Sequence, residues 1–326
     1  MGKKIITVKQ DISDLVVNSF SEKISGADVR RFQYYRWVGE EAPTGIIVFS
    51  HGLIEYGKVY EEVAKSFIKA GFAVYALDHI GHGNTVKSAK ATANWEKKSF
   101  TKCSYNLHIL VTKAQSDYPN IPTFVIGNDV GFLIAFKMLA KFQTPINGLV
   151  CSGIHGSIDS LRWLRFRSRI ERLIHFNEKK SKHMANVINR KYNRWNLFGY
   201  NQYDWITSDE NMIEKLQKDK KCSFVYTVDF YFFYFKAILK FYRKKRFKDV
   251  DRKTPILLVG GTADAVNKFG KGVLAYNSFL KSYGFKNVKK QMYEGSRHYL
   301  FLDRAKHNLI NDIIHWTNDI TKKKEA

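Results

Sequence analysis

Five short stretches of this chain, residues 45–51 (GIIVFSH), 72–78 (FAVYALD), 123–126 (TFVI), 146–151 and 255–259, are largely apolar without alternation, and many stop at glycine or a polar residue. A strand with one wet face alternates apolar and polar side chains, whereas a strand buried on both faces has no reason to. These stretches are therefore expected to be central strands of a parallel sheet. Residues 59–70, 105–118, 132–142 and 271–283, between and after them, read as helices. Such alternation predicts an α/β fold with a doubly wound, mostly parallel sheet. No internal repeat is visible.

The pattern changes between residues 156 and 251. Long basic or aromatic helical stretches at residues 161–176 and 222–247 carry no buried strand, and the strand pattern then resumes. Sheet on both sides of the interruption predicts one core, residues 1–155 and 252–326, with an inserted helical lid at residues 156–251. A site at the carboxyl ends of the strands would lie beneath it.

Composition enters as a limit on partners. With 44% hydrophobic residues the chain has ample material for a core, which excludes intrinsic disorder. Lys plus Arg is 54 against 30 Asp plus Glu, a formal net charge of +24. That balance invites a nucleic acid or an anionic membrane. No nucleic-acid motif accompanies it, so no specific nucleic-acid partner is expected. Arg162, Arg165, Arg167, Arg169 and Arg172 alternate with Trp163, Leu164 and Phe166, a mixture suited to peripheral contact with an anionic membrane.

The N-terminal apolar run stops at Lys9 and Asp11, too short for a signal-peptide core, and Ile6 breaks the myristoylation pattern. Residues 224–242 are interrupted by Asp229, Lys236 and Lys240, which argues against a membrane span. Cys103, Cys151 and Cys222 have no metal or redox spacing and read as reduced thiols. A cytoplasmic location is expected, with peripheral membrane contact left open, and no cofactor or metal is called for.

The chemistry is concentrated at the strand ends. In chain order they carry His51-Gly52-Leu53-Ile54-Glu55-Tyr56, Asp78-His79-Ile80-Gly81-His82-Gly83, Gly127-Asn128-Asp129-Val130-Gly131, Gly260-Gly261-Thr262-Ala263-Asp264 and Glu294-Gly295-Ser296-Arg297-His298. This ordered set resembles the α/β-hydrolases, and within them the monoacylglycerol lipase and lysophospholipase group, over roughly residues 30–316. The resemblance is strongest at residues 46–85 and recognisable again at Asp264 and His298. It implies a lipid-like or other small-molecule ester substrate and a catalytic triad. Asp264 would orient His298, and the backbone N–H groups of Leu53 and Val130 would form the oxyanion hole.

One position departs from that group. The elbow pattern is G-x-S-x-G, and here aspartate stands where serine belongs. A carboxylate attacking an ester would give a mixed anhydride, which is uphill, so altered or lost esterase activity is expected. Two alternatives stand beside this reading. Asp129 is suited to attack an sp3 carbon of an epoxide or haloalkane, giving an alkyl ester that His298-activated water hydrolyses. That chemistry resembles epoxide hydrolases and haloalkane dehalogenases, which carry Trp where Val130 stands and Pro in the first loop, where this chain has Leu53-Ile54. Its acid would be a lid tyrosine, with Tyr203, Tyr226, Tyr231 and Tyr234 as candidates. The other alternative is a non-catalytic lipid or small-molecule binding protein in which Asp129 simply pairs with His298. Glu55 and His82 read as braces of the surrounding loops, and Phe230, Phe232, Phe233 and Phe235 as core or as the wall of an acyl channel.

Overall fold

The computed structural model describes residues 18–25, 31–86, 92–175, 178–195 and 201–325. The N-terminal residues weighed above for targeting, and Phe176 at the end of an expected helix, lie outside these.

The sheet has eight strands: β1 (Asn18–Ser25), β2 (Arg31–Val38), β3 (Gly45–Ser50), β4 (Phe72–Leu77), β5 (Thr123–Asn128), β6 (Gly148–Ser152), β7 (Ile256–Gly261) and β8 (Val288–Tyr293). Their spatial order is β1-β2-β4-β3-β5-β6-β7-β8. β2 pairs antiparallel with both β1 and β4, and the other five pairings are parallel. β3, β4, β5, β6 and β7 are buried at every residue, so their uninterrupted apolar sequence reflects helices packed on both faces. The doubly wound, mostly parallel sheet is as expected.

Helices α1 (Glu61–Lys69), α2 (Ser99–Asp117) and α3 (Val130–Phe142) connect the central strands. Four further helices, α4 (Ile158–Ile174), α5 (Lys182–Asn193), α6 (Glu210–Lys218) and α7 (Val228–Lys240), separate β6 from β7 in the chain. Helices α8 (Lys271–Ser282) and α9 (Lys306–Glu325) follow β7 and complete the fold. Among the described residues no helix is long and apolar enough to cross a membrane.

The structure shortens one expected helix. Residues 222–247 do not form a single rod: Thr227 caps α7 by accepting the Phe230 N–H at 3.1 Å, and a separate 3-10 turn follows at Lys244–Arg246. A threonine side chain that satisfies an otherwise free N–H is a helix start signal, and the aromatic density of the stretch hid it. Cys103, Cys151 and Cys222 are free and buried.

Candidate active site

The turn after β5 is built by close backbone approach. A Cβ on Gly127 would stand 2.3 Å from the backbone of Phe132, and one on Gly131 only 1.8 Å from the carbonyl oxygen of Ser50 on β3. Both glycines are therefore required where α3 crosses against β3 and β5. Between them Asp129 adopts φ 48° and ψ −117°, a conformation that strains any side-chain-bearing residue. Its side chain is presented at the N-terminus of α3, where the helix dipole favours a carboxylate.

The Asp129 carboxylate is buried and fully engaged. Oδ2 accepts the Leu53 N–H at 3.3 Å, while Oδ1 accepts the Tyr234 hydroxyl at 2.9 Å and hydrogen-bonds His155 Nε2 at 3.2 Å. Tyr299 lies 3.4 Å from Oδ2, but its hydroxyl has the shorter contact, 2.8 Å, to the Leu53 carbonyl. Burial alone would raise the pKa of this carboxyl. The hydrogen bond and charge of His155, the charge of His298 and the Tyr234 hydroxyl outweigh it and hold Asp129 below the usual carboxylate value.

His298 stands on the loop after β8 and donates from Nδ1 to Asp264 Oδ2 at 2.8 Å. Burial works against its charged form. The charge and hydrogen bond of Asp264, followed by the charges of Asp129 and Glu55, reverse the balance and raise it above its ordinary value. The imidazolium is thus favoured. Among the described residues no hydrogen bond joins His298 to Asp129, so the pairing expected for an inactive site is corrected: the partner is His155. The cause is geometric. His298 is held by Asp264 and stacked on Tyr299 at 5.2 Å, whereas His155 follows β6 two residues after Gly153, where a Cβ would stand 2.7 Å from the Asp129 nitrogen.

Leu53 and Val130 are both at the site. The Leu53 N–H is filled by the aspartate itself, and Val130 opens α3 beside it. Of the four lid tyrosines considered from sequence, Tyr234 is the one whose hydroxyl reaches Asp129. The phenylalanine channel needs correction. Phe232 lies under the guanidinium groups of Arg165 and Arg172, at 3.7 and 4.5 Å, and Phe233 also faces Arg172, at 5.3 Å. Phe230 packs on Tyr226 and Tyr234. A cavity of about 110 Å³ opens beside Leu53, walled by Ile188, Trp205, Tyr226 and Tyr231. It has room for a few waters only.

Three buried histidines brace the first two loops. The His79 N–H donates to His51 Nε2 at 2.9 Å, so His51 carries its proton on Nδ1, which donates to the Gly52 carbonyl at 2.7 Å. His82 donates from Nδ1 to the Ile80 carbonyl and accepts the Tyr226 hydroxyl at 2.9 Å; that hydroxyl in turn accepts the Ile54 N–H. Burial, aided by neighbouring histidines, drives His51 well below its ordinary value and His79 to about 3, and burial drives His82 to about 4. All three are neutral props at physiological pH.

Glu55 has the same structural role. Its Oε2 accepts from the Gly52 N–H at 2.7 Å, Asn128 Nδ2 at 2.9 Å and the Tyr60 hydroxyl at 3.0 Å, while Oε1 is buried without a partner. Burial, only partly offset by these bonds, pushes it up to about 7. The folded protein therefore holds this proton over a range in which the unfolded chain has released it. Stability from this group is complete below the unfolded value and declines as pH rises toward the folded one, by roughly 3 kcal/mol in all. Thermal unfolding of Glu55→Gln from pH 4 to 8 is expected to lose that decline, the variant gaining on wild type as pH rises; parallel curves would show that Glu55 is ionised in the fold.

Comparison with known proteins places this geometry among relatives. The family model described as serine aminopeptidase, S33 matches residues 41–305. A monoacylglycerol lipase of Mycolicibacterium smegmatis is 33% identical over 123 residues, which cover 38% of this chain and 42% of that enzyme. The chain thus spans under half of that relative's length. A monoglyceride lipase homolog of monkeypox virus is 23% identical over 286 residues, covering 86% of this chain and 91% of the viral protein. Among solved structures, a thermostable carboxyl esterase from Bacillus coagulans superposes with a TM-score of 0.83 at 23% identity, covering 93% of this chain and 98% of the esterase. Monoglyceride lipase from Saccharomyces cerevisiae gives 0.72 at 18% identity, covering 96% and 100%. Likeness at these identities shows a shared fold.

Proposed function

The chain belongs to the serine aminopeptidase S33 family of α/β-hydrolases, and from that membership and its altered elbow we propose that it is a lipid-ester-hydrolase scaffold with its ester turnover switched off. In this reading residues 156–251 are the lid, which has to open from the small cavity beside Leu53 to admit a monoacylglycerol-like molecule, the substrate class that the names of the relatives suggest. The observation that carries it is Asp129 Oδ2 on the Leu53 N–H.

Three features of the site support this reading. The site where an ester carbonyl oxygen would sit is already filled by a carboxylate oxygen. Attack by the carboxylate would lead to a mixed anhydride rather than a stable acyl ester. The charges of Asp264 and Asp129 outweigh burial and raise the pKa of the histidine that should act as base, which weakens it in that role. Wild-type protein is accordingly expected to be inert toward p-nitrophenyl butyrate, and Asp129→Ser active; equal activity of the two would refute the reading.

A second reading is favoured by the other carboxylate oxygen. Oδ1 faces the Tyr234 hydroxyl, so an epoxide carbon attacked by Oδ1 would have an acid at hand for the alkoxide that leaves it. The C–O bond to Asp129 forms as the ring bond breaks and Tyr234 gives up its proton. Water deprotonated by a neutral His298 would then attack Cγ, the negative charge collecting on Oδ2 at the Leu53 and Val130 N–H groups; collapse breaks the bond from Cγ to the alkyl oxygen, the departing alkoxide takes the proton from His298, and the proton left on the Asp129 carboxyl returns to Tyr234. A single turnover in 18O water should leave label in the Asp129 carboxylate. Turnover without label excludes the mechanism.

The outer face of α4 supports the membrane contact. Phe166 and Leu173 are 60% and 80% exposed, Trp163 and Ile174 are also exposed, and Arg162 and Arg169 stand among them. Burying such side chains in a lipid interface contributes about 2 kcal/mol each. The protein is expected to cosediment with phosphatidylglycerol-containing vesicles, and Phe166→Asp with Leu173→Asp to weaken this by about a thousandfold; unchanged cosedimentation would remove α4 as the contact.

A further inference from the structure

On the side of the molecule where α2 begins, α3 and α7 wall a cleft of about 220 Å³. Lys97 and Lys98 precede α2, Lys137 comes from α3, Lys236 and Lys240 from successive turns of α7, and Arg246 from the 3-10 turn after it. Glu96 is the one carboxylate on the wall. Phe100, Phe233 and Phe241 supply apolar surface between the cations. We propose that this cleft binds a phosphate-bearing anion.

The +24 charge of the chain makes basic patches common, so the cleft has to differ from a solvated face. It does so in three respects. Lys137, Lys236, Lys240 and Arg246 are all partly buried, and among the described residues no carboxylate forms an ion pair with any of them. The Nε of Arg246 is buried with no hydrogen-bond partner, a donor left free in a place water reaches poorly. The amino end of α2, a 19-residue helix, has no side-chain cap, and although the Ser99 and Thr101 N–H groups bond the Glu96 and Lys98 carbonyls, the helix dipole adds positive potential at the same place.

The electrostatics agree with the geometry. Burial, followed by the charges of Arg246, Lys141 and Lys240, lowers Lys137. Burial, then Arg246, Lys236, Arg243 and Lys245, lowers Lys240. Like charges are thus held together in a partly desolvated space, an arrangement that an anion relieves. Phosphate suits the donor set better than a carboxylate because its oxygens can accept from several cations and from a guanidinium at once. The anion would also join α3, which Asp129 precedes, to α7, which carries Tyr234.

A free diphosphate and a phospholipid headgroup offer the same chemistry, and titration separates them. Inorganic pyrophosphate is titrated calorimetrically into the full chain at about 0.15 M salt, where long-range attraction is largely screened. Three proteins are compared: wild type, Lys137→Gln with Arg246→Gln, and a charge-matched control, Lys182→Gln with Lys220→Gln, at exposed positions. Loss of pyrophosphate affinity by about tenfold or more in the cleft variant alone supports a free phosphate ligand. If pyrophosphate is silent, phosphatidic acid vesicles are used, and the same selective loss identifies a lipid headgroup. Equal loss in both variants, or none in either, overturns the proposal. Folding is read from thermal melting, where the cleft variant should melt no lower than wild type because it removes mutual repulsion, and pyrophosphate should raise the melting temperature of wild type and control only.

Discussion

Asp129→Ser is expected to raise hydrolysis of p-nitrophenyl butyrate by about a hundredfold or more over the wild-type protein. The substitution makes three changes at once. It supplies a hydroxyl on the strained elbow, which the flanking glycines keep in place. It vacates the Leu53 N–H, so that a substrate carbonyl oxygen can reach the backbone donors. It also removes one of the carboxylates whose charge raises His298, which frees the imidazole to accept a proton. Asp264 still orients the ring at 2.8 Å. His155 and Tyr234 lose their shared acceptor and will reorganise, so the gain should be below that of an evolved serine enzyme. Asp129→Ala separates the effects: it vacates the hole without adding a nucleophile and should stay inactive.

The second large effect is on folding. Gly131→Ala would place a methyl carbon 1.8 Å from the Ser50 carbonyl oxygen and 2.9 Å from that of His51. Real carbon–oxygen contacts do not come so close, and neither neighbour is a flexible side-chain end. β3 pairs with β4 and β5 on its two sides, so it cannot retreat without opening the sheet. The expected loss exceeds about 4 kcal/mol, enough to unfold a domain of ordinary stability. Denaturant unfolding, or plain solubility on expression, measures it. A variant that folds with near-wild-type stability would mean that α3 approaches β3 less closely than described.

The centre of the sheet was legible because burial on both faces leaves an unmistakable pattern, and β3 through β7 fall on the runs that showed it. The edges were not. β8, Val288–Tyr293, carries two lysines and a glutamine because it pairs on one side only, and its sequence resembles a loop. β2 pairs antiparallel beyond β4 and mixes Arg31, Gln33 and Arg36 with aromatics. At the site, Asp129, Asp264 and His298 stood out as polar residues at strand ends in a fixed order. His155 gave a fainter signal of the same kind, a histidine just past β6, without any motif around it. Its partnership with Asp129 depends on the fold of the β6 loop and on α7 closing from above, which spacing alone does not express. Tyr234 was one of several tyrosines between β6 and β7, and only the register of α7 singles it out.

In the function proposed, Asp129 converts a lipid-ester hydrolase into a protein that binds but does not cleave. It is tested most directly by measuring oleate release from 1-oleoylglycerol by the wild-type protein at concentrations where the non-hydrolysable ether analogue is shown to bind. Saturable binding of the ether with no oleate above the buffer control is the expected result. Oleate released catalytically by the wild-type protein, and abolished in Asp129→Ala, would contradict it.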